Sequence, residues 1–160
     1  MRSAALLFFS FGAAQALAQD CVSFAMKSAS ARVEYDQGAS GRGRSTAIVF
    51  EPADTGALRA RDEATGRVLW TFFPPELGQA RGSGDLMTSI AVLRFDANGN
   101  GVIDIASGDR VWLYFGLKRG GPWYYALDVT GRAPRVLWKT GSSQLGGLGE
   151  AWSTPTLARV

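Results

Sequence analysis

The sequence predicts an all-β fold, and three observations carry the prediction. Short apolar stretches alternate with polar positions and are cut by turn signals at close spacing. Twenty glycines and five tryptophans in 160 residues suit a turn-rich, aromatic-packed β protein. Beyond the first 18 residues, no stretch sustains the apolar spacing of a helix.

From Thr46 onward each element can be justified in turn. Residues 47–50 read as a strand, Asp54-Thr55-Gly56 as a turn, and 57–61 as an alternating strand. Residues 62–66 supply the next turn. Residues 67–73 form a further strand that Pro74 and Pro75 stop, because proline donates nothing to a ladder. Strands at 87–95 and 109–115 flank a polar loop, 123–128 and 136–139 continue the rhythm, and 152–160 open another strand.

The unit recurs. Residues 111–116 match the first strand, and 123–128 match the strand that ends at Asp62. Thr130-Gly131 corresponds to Thr65-Gly66, and Val136-Leu137-Trp138 to Val68-Leu69-Trp70. Repetition on this scale means an array whose copies bury their faces against one another. Trp70 and Trp138 are therefore expected in the core, where a large apolar side chain anchors sheet on sheet. Two copies fall short of the roughly 4–8 blades of a closed propeller. The expectation over residues 46–160 is an incomplete β-propeller of about two blades, a piece of a larger array.

Residues 1–18 have the build of a signal peptide, a signal-like helix ahead of the β region. Met1-Arg2 gives a positive start, an apolar run carries Leu6, Leu7, Phe8, Phe9 and Phe11, and Ala16-Leu17-Ala18 precedes Gln19. The run is shorter than the about 20 residues of a membrane span, so the mature chain is expected to have none. Export is the expectation. Residues 19–45 read as a linker or irregular segment, with 28–32 and 38–44 as its flexible parts. Cys21 is the only cysteine and makes no internal disulfide, while Asp20 stands where a lipoprotein signal places a small residue.

Composition excludes several functions. The net charge of +3 is small and the arginines are scattered, which argues against a nucleic-acid partner. There is no histidine, which removes imidazole metal sites and His-dependent triads. No candidate base stands out beside an apolar pocket, and the chain is read as non-enzymatic.

Asp96 to Asp104, Asp-Ala-Asn-Gly-Asn-Gly-Val-Ile-Asp, carries the chemistry. Calcium takes several oxygen ligands, and oxygens at alternate loop positions can wrap around one ion. Asp96, Asn98, Asn100 and Asp104 supply side-chain oxygens at that spacing, and Val102 its backbone carbonyl. Gly99 and Gly101 permit the sharp turns, and Ile103 is expected to pin the loop to the core. The loop differs from an EF-hand: Ser107 replaces the closing glutamate and strands replace the helices. Asp109 is near enough in sequence to approach the ion but is not counted among the ligands. The alternative is a plain Asn-Gly hairpin turn, which needs neither Asp96 nor Asp104.

The run 96–104, then Val-Trp-Leu-Tyr-Phe-Gly-Leu-Lys-Arg-Gly-Gly from Val111, Tyr-Tyr-Ala-Leu-Asp-Val-Thr from Tyr124 and Trp-Ser-Thr-Pro from Trp152, resembles the C-terminal β-propeller of the PilY/PilC family of type IV pilus tip adhesins. The resemblance covers about residues 46–160. It implies a modified propeller with a bound Ca2+ that regulates pilus extension and retraction, held by Asp96, Asn98, Asn100, Val102 and Asp104. It also implies action in cell adhesion and twitching motility at the periplasm, cell surface or pilus tip. The implied partners are the type IV pilus machinery or minor pilins and a host surface. Family members are far longer than this chain. Two other propellers share the Asp…Thr-Gly…Trp repeat: a quinoprotein (PQQ) dehydrogenase fragment and a scaffold propeller of the outer-membrane assembly type.

Overall fold

A computed structural model describes residues 22–24, 30–36, 45–53, 55–79, 86–131 and 133–158. The expected signal segment and the 38–44 run lie outside the described residues.

The all-β class holds: the described residues form two antiparallel sheets, with helix limited to two short 3-10 turns. Strand β1 (Val22–Phe24) adds to the edge of the second sheet. The first sheet is a four-stranded meander of β2 (Ala31–Asp36), β3 (Ser45–Pro52), β4 (Leu58–Asp62) and β5 (Val68–Phe72). The second follows as β6 (Ala91–Phe95), β7 (Arg110–Gly116), β8 (Trp123–Asp128) and β9 (Arg135–Gly141), with β1 beside β6.

Two expectations need correction here. Part of the stretch read as a linker is strand. Ala31, Val33 and Tyr35 of β2 are buried while Arg32, Glu34 and Asp36 are not, a period-2 pattern that places one face on the core. At the other end, residues 152–158 form no strand, and only Ala151 makes a single antiparallel bridge, to Lys118. Bounds elsewhere shift by a few residues. The strand expected over 87–95 begins only at Ala91.

The internal repeat is present at the level of register. Ala60 pairs with Phe50 on one side and Trp70 on the other, and a bulge follows between Ala60 and Arg61. Ala126 pairs with Tyr114 and Trp138, and the bulge recurs between Ala126 and Leu127. On the inner strands Ala31 faces Phe50 and Ala91 faces Tyr114. The same ring contact results in both copies, with centroids 5.7 Å apart for Phe50–Trp70 and 6.0 Å for Tyr114–Trp138. The shared aspartates hold turns: Asp62 accepts from the Thr65 N–H at 2.8 Å and Asp128 from the Thr130 N–H at 2.9 Å.

One core joins the sheets. Val33, Ile48, Phe50 and Leu58 of the first belong to the same cluster as Val111, Leu113, Phe115 and Leu127 of the second. Phe72 crosses between them, edge-on to Phe115 at 6.5 Å and to Tyr125 at 5.7 Å. The Tyr35 hydroxyl donates to the Val129 carbonyl at 3.0 Å, a buried bond across the same seam. Glu76, in the connecting 3-10 turn Pro75–Gln79, accepts from the Tyr125 hydroxyl and from Lys139. Burial and then this carboxylate push the Tyr125 phenol well above its usual range.

Candidate metal centre

The sheets position one polar loop, residues 96–109, between β6 and β7. Backbone geometry follows from its glycines: Gly99 and Gly101 have φ of 69° and 81°, the left-handed region that other residues resist. Asp96 organises the first half. Its Oδ1 accepts from the Gly99 N–H at 2.8 Å and its Oδ2 from the Gly101 N–H at 2.6 Å. The Asn98 side-chain oxygen accepts from the Asn100 N–H at 3.0 Å, and the Asn100 oxygen from the Val102 N–H at 2.7 Å. Each alternate side chain thus turns its oxygen back over the loop.

Asp104 does something different. It caps a 3-10 turn, Ile105–Ser107, accepting from the Ala106 N–H at 2.9 Å and the Ser107 hydroxyl at 2.7 Å. The Ser107 hydroxyl, then the Ala106 N–H, hold its carboxyl below the usual range. Ser107, at the place of a closing glutamate, therefore serves Asp104 and adds no carboxylate.

Ile103 is almost wholly buried and joins the core cluster. It also makes a parallel bridge to Tyr35 on β2. Its N–H donates to the Glu34 carbonyl at 2.8 Å, and its carbonyl accepts from the Asp36 N–H at 2.9 Å. A loop that belongs to the second sheet is thereby fastened to the edge strand of the first. That edge would otherwise present unpaired backbone groups.

Sequence reasoning left out Asp109. This carboxylate is 0% exposed and accepts from the Ala97 N–H and the Asp104 N–H, each at 2.8 Å. The available signal was an acidic residue at the foot of an apolar strand, close after the loop.

The residue types expected as ligands are those that could hold a hard cation. The set contains only oxygen, two carboxylates with two amide oxygens and one backbone carbonyl, which is the chemistry that calcium selects. Each side-chain oxygen that accepts one hydrogen bond retains a second lone pair. Among the described residues no group of three or more Asp, Glu, Cys or His stands together to hold a metal. A cation held on this loop would need the oxygens of Asn98 and Asn100 and the Val102 carbonyl beside the two carboxylates.

No protein-family model matches the chain, and no solved structure matches it. Among the described residues no helix is long and apolar enough to cross a membrane. The chain is 31% identical over 127 residues to the type IV pilus biogenesis factor PilY1 homolog of Xylella fastidiosa. That alignment takes in 71% of this chain and 10% of the relative, so the chain spans about a tenth of its length. The similarity supports a relationship to PilY1-type proteins.

Proposed function

We propose that this chain is a non-enzymatic, calcium-binding part of an exported type IV pilus-associated protein, with its two meanders as blades of a β-propeller. One observation carries the calcium reading: oxygens of Asp96, Asn98, Asn100, Val102 and Asp104 follow one another on a loop joined to both sheets. Calcium bound here would be held by those oxygens and would supply the positive charge that they face. Asp96 and Asp104 balance the charge, and the neutral oxygens add coordination without repulsion. Asp96, through its bonds from Gly99 and Gly101, keeps the first half of the loop wrapped. Ile103 passes any stiffening of the loop to β2 of the first sheet.

With two carboxylates and no closing glutamate, the affinity belongs near the 10⁻⁴–10⁻³ M range of extracellular modules. At ten times that concentration, binding stabilises the fold by about 1.4 kcal/mol. The blade reading draws on the repeated register, bulge and ring contact. The pilus reading draws on the relative, which is described as a biogenesis factor of type IV pili. In this reading the chain acts at the periplasm, cell surface or pilus tip, in adhesion and pilus extension or retraction. Its partners are the pilus machinery, minor pilins or a host surface.

The test is calorimetric titration of the full chain with calcium, alongside thermal melting. Saturable binding and a rise in Tm of about 3–5 °C are expected. Both should vanish in the double variant Asp96→Ala, Asp104→Ala. No binding, or a shift that survives the double substitution, overturns the calcium reading.

A further inference from the structure

We infer that Asp109 is the positioning residue of the loop: its carboxylate holds the two ends of the site together and sets how tightly a divalent cation binds. The inference rests on the calcium reading above. Asp109 lies beyond the 96–104 run and is completely buried. Its Oδ1 accepts from the Ala97 N–H and its Oδ2 from the Asp104 N–H, each at 2.8 Å. One side chain therefore grips the residue after the first ligand and the last ligand itself. The Asp109 N–H also donates to the Asp104 carbonyl at 3.3 Å.

The grip is anchored in the sheet. Asp109 stands directly before β7, where Val111 is fully buried and its N–H donates to the buried Thr130 hydroxyl at 2.9 Å. A loop whose mouth is already closed has less conformational freedom to lose when an ion binds. Only a carboxylate does this well, since it offers two acceptor oxygens. Asparagine offers one oxygen and an NH2 group, which would set donor against donor at Ala97 or Asp104. Burying a carboxylate is costly, and the two bonds from the Ala97 and Asp104 N–H groups offset that cost.

The test compares the full chain with Asp109→Asn by calorimetric calcium titration. A second arm uses terbium, whose luminescence lifetimes in H2O and D2O count the waters on the bound ion. The calcium Kd is expected to rise about tenfold or more, the usual effect of losing a group that orients ligands. The water count should not change, because Asp109 holds backbone N–H groups and not the ion. An unchanged Kd overturns this inference and leaves the calcium reading intact. A gain of one water also overturns it, by making Asp109 a ligand. Absence of calcium binding in the unaltered chain overturns both. If Asp109→Asn does not fold, hydrogen exchange on the unaltered chain decides. The Ala97 and Asp104 amides should be protected without calcium, and free exchange at either one overturns the inference.

Discussion

Trp70 and Trp138 hold the same place in two copies of one repeat and end in different surroundings. Both pair with an alanine beside a bulge, and both touch the aromatic ring one strand further in. Trp70 packs against the core, whereas Trp138 is 47% exposed together with Val136 and Leu137. The expectation that Trp138 packs in a core is corrected accordingly. In the first sheet the row Ala31–Phe50–Ala60–Trp70 faces the neighbouring sheet. In the second sheet, Val111, Leu113 and Phe115 face that neighbour, so by alternation the row Ala91–Tyr114–Ala126–Trp138 points away from it.

The other faces differ in the opposite sense. The outward face of the first sheet carries linked ion pairs, Arg32 with Glu34 and Glu63, and Glu51 with Arg59 and Arg61. The corresponding face of the second sheet is the apolar one in the core. A repeated motif thus dictates local pairing, while the energy of each residue depends on what covers it.

The comparison can be broken most sharply at the ring beside each tryptophan. Phe50→Ala, at a fully buried position, should lower the unfolding free energy by about 3–5 kcal/mol. Tyr114→Ala, at the equivalent half-buried position, should cost less than half as much in denaturant melts. Equal losses would mean that the two faces are equally covered in solution.

A smaller difference is expected at the tryptophans themselves. Trp70→Ala should cost about 2–3 kcal/mol, and Trp138→Ala no more than about 1 kcal/mol. The same melts, with matched m-values, check this pair. A Trp138→Ala loss as large as that of Trp70→Ala would show that some element protects the second face.

The smallest effect concerns pH. Burial pushes the Glu51 carboxyl up, but hydrogen bonds from Arg61 and Arg59 outweigh it, and the net shift is downward. Asp128 in the second sheet behaves alike: burial raises it, and the bonds from Arg135 and Thr130 bring it below its ordinary value. A carboxyl lowered in the folded state stabilises the fold above its unfolded value and loses that contribution as pH falls through the folded one. The ordinary values are 4.5 for Glu51 and 3.8 for Asp128, so the loss should set in below those points. Tm measured from pH 6 to pH 3 should fall less steeply in Glu51→Gln and in Asp128→Asn than in the parent chain. An unchanged slope in one variant alone would show that only the other sheet's carboxyl is linked to folding.

Much of the fold was legible because its signals are local. The turns at Asp62 and Asp128, the strands around Trp70 and Trp138, and the left-handed glycines of the loop each follow from a few adjacent residues. Strand β2 was also written locally, in the alternation of Ala31, Val33 and Tyr35. Polar or glycine-rich neighbours on both sides mask that alternation. Asp109 belongs to a different class. Nothing in its flanking residues says that its two oxygens meet the Ala97 and Asp104 amides, because that meeting requires β6 and β7 to be paired first.

By itself, the sequence determined the β class, the repeat and the oxygen-rich run from Asp96 to Asp104, because alternation, turn chemistry and ligand spacing are properties of neighbouring residues. Tertiary structure decided which copy of the repeat is covered, that Ile103 fastens the loop to β2, and that a buried carboxylate closes the loop. Burial and cross-strand hydrogen bonds arise between distant segments, and they exist only once the two sheets have packed on one another.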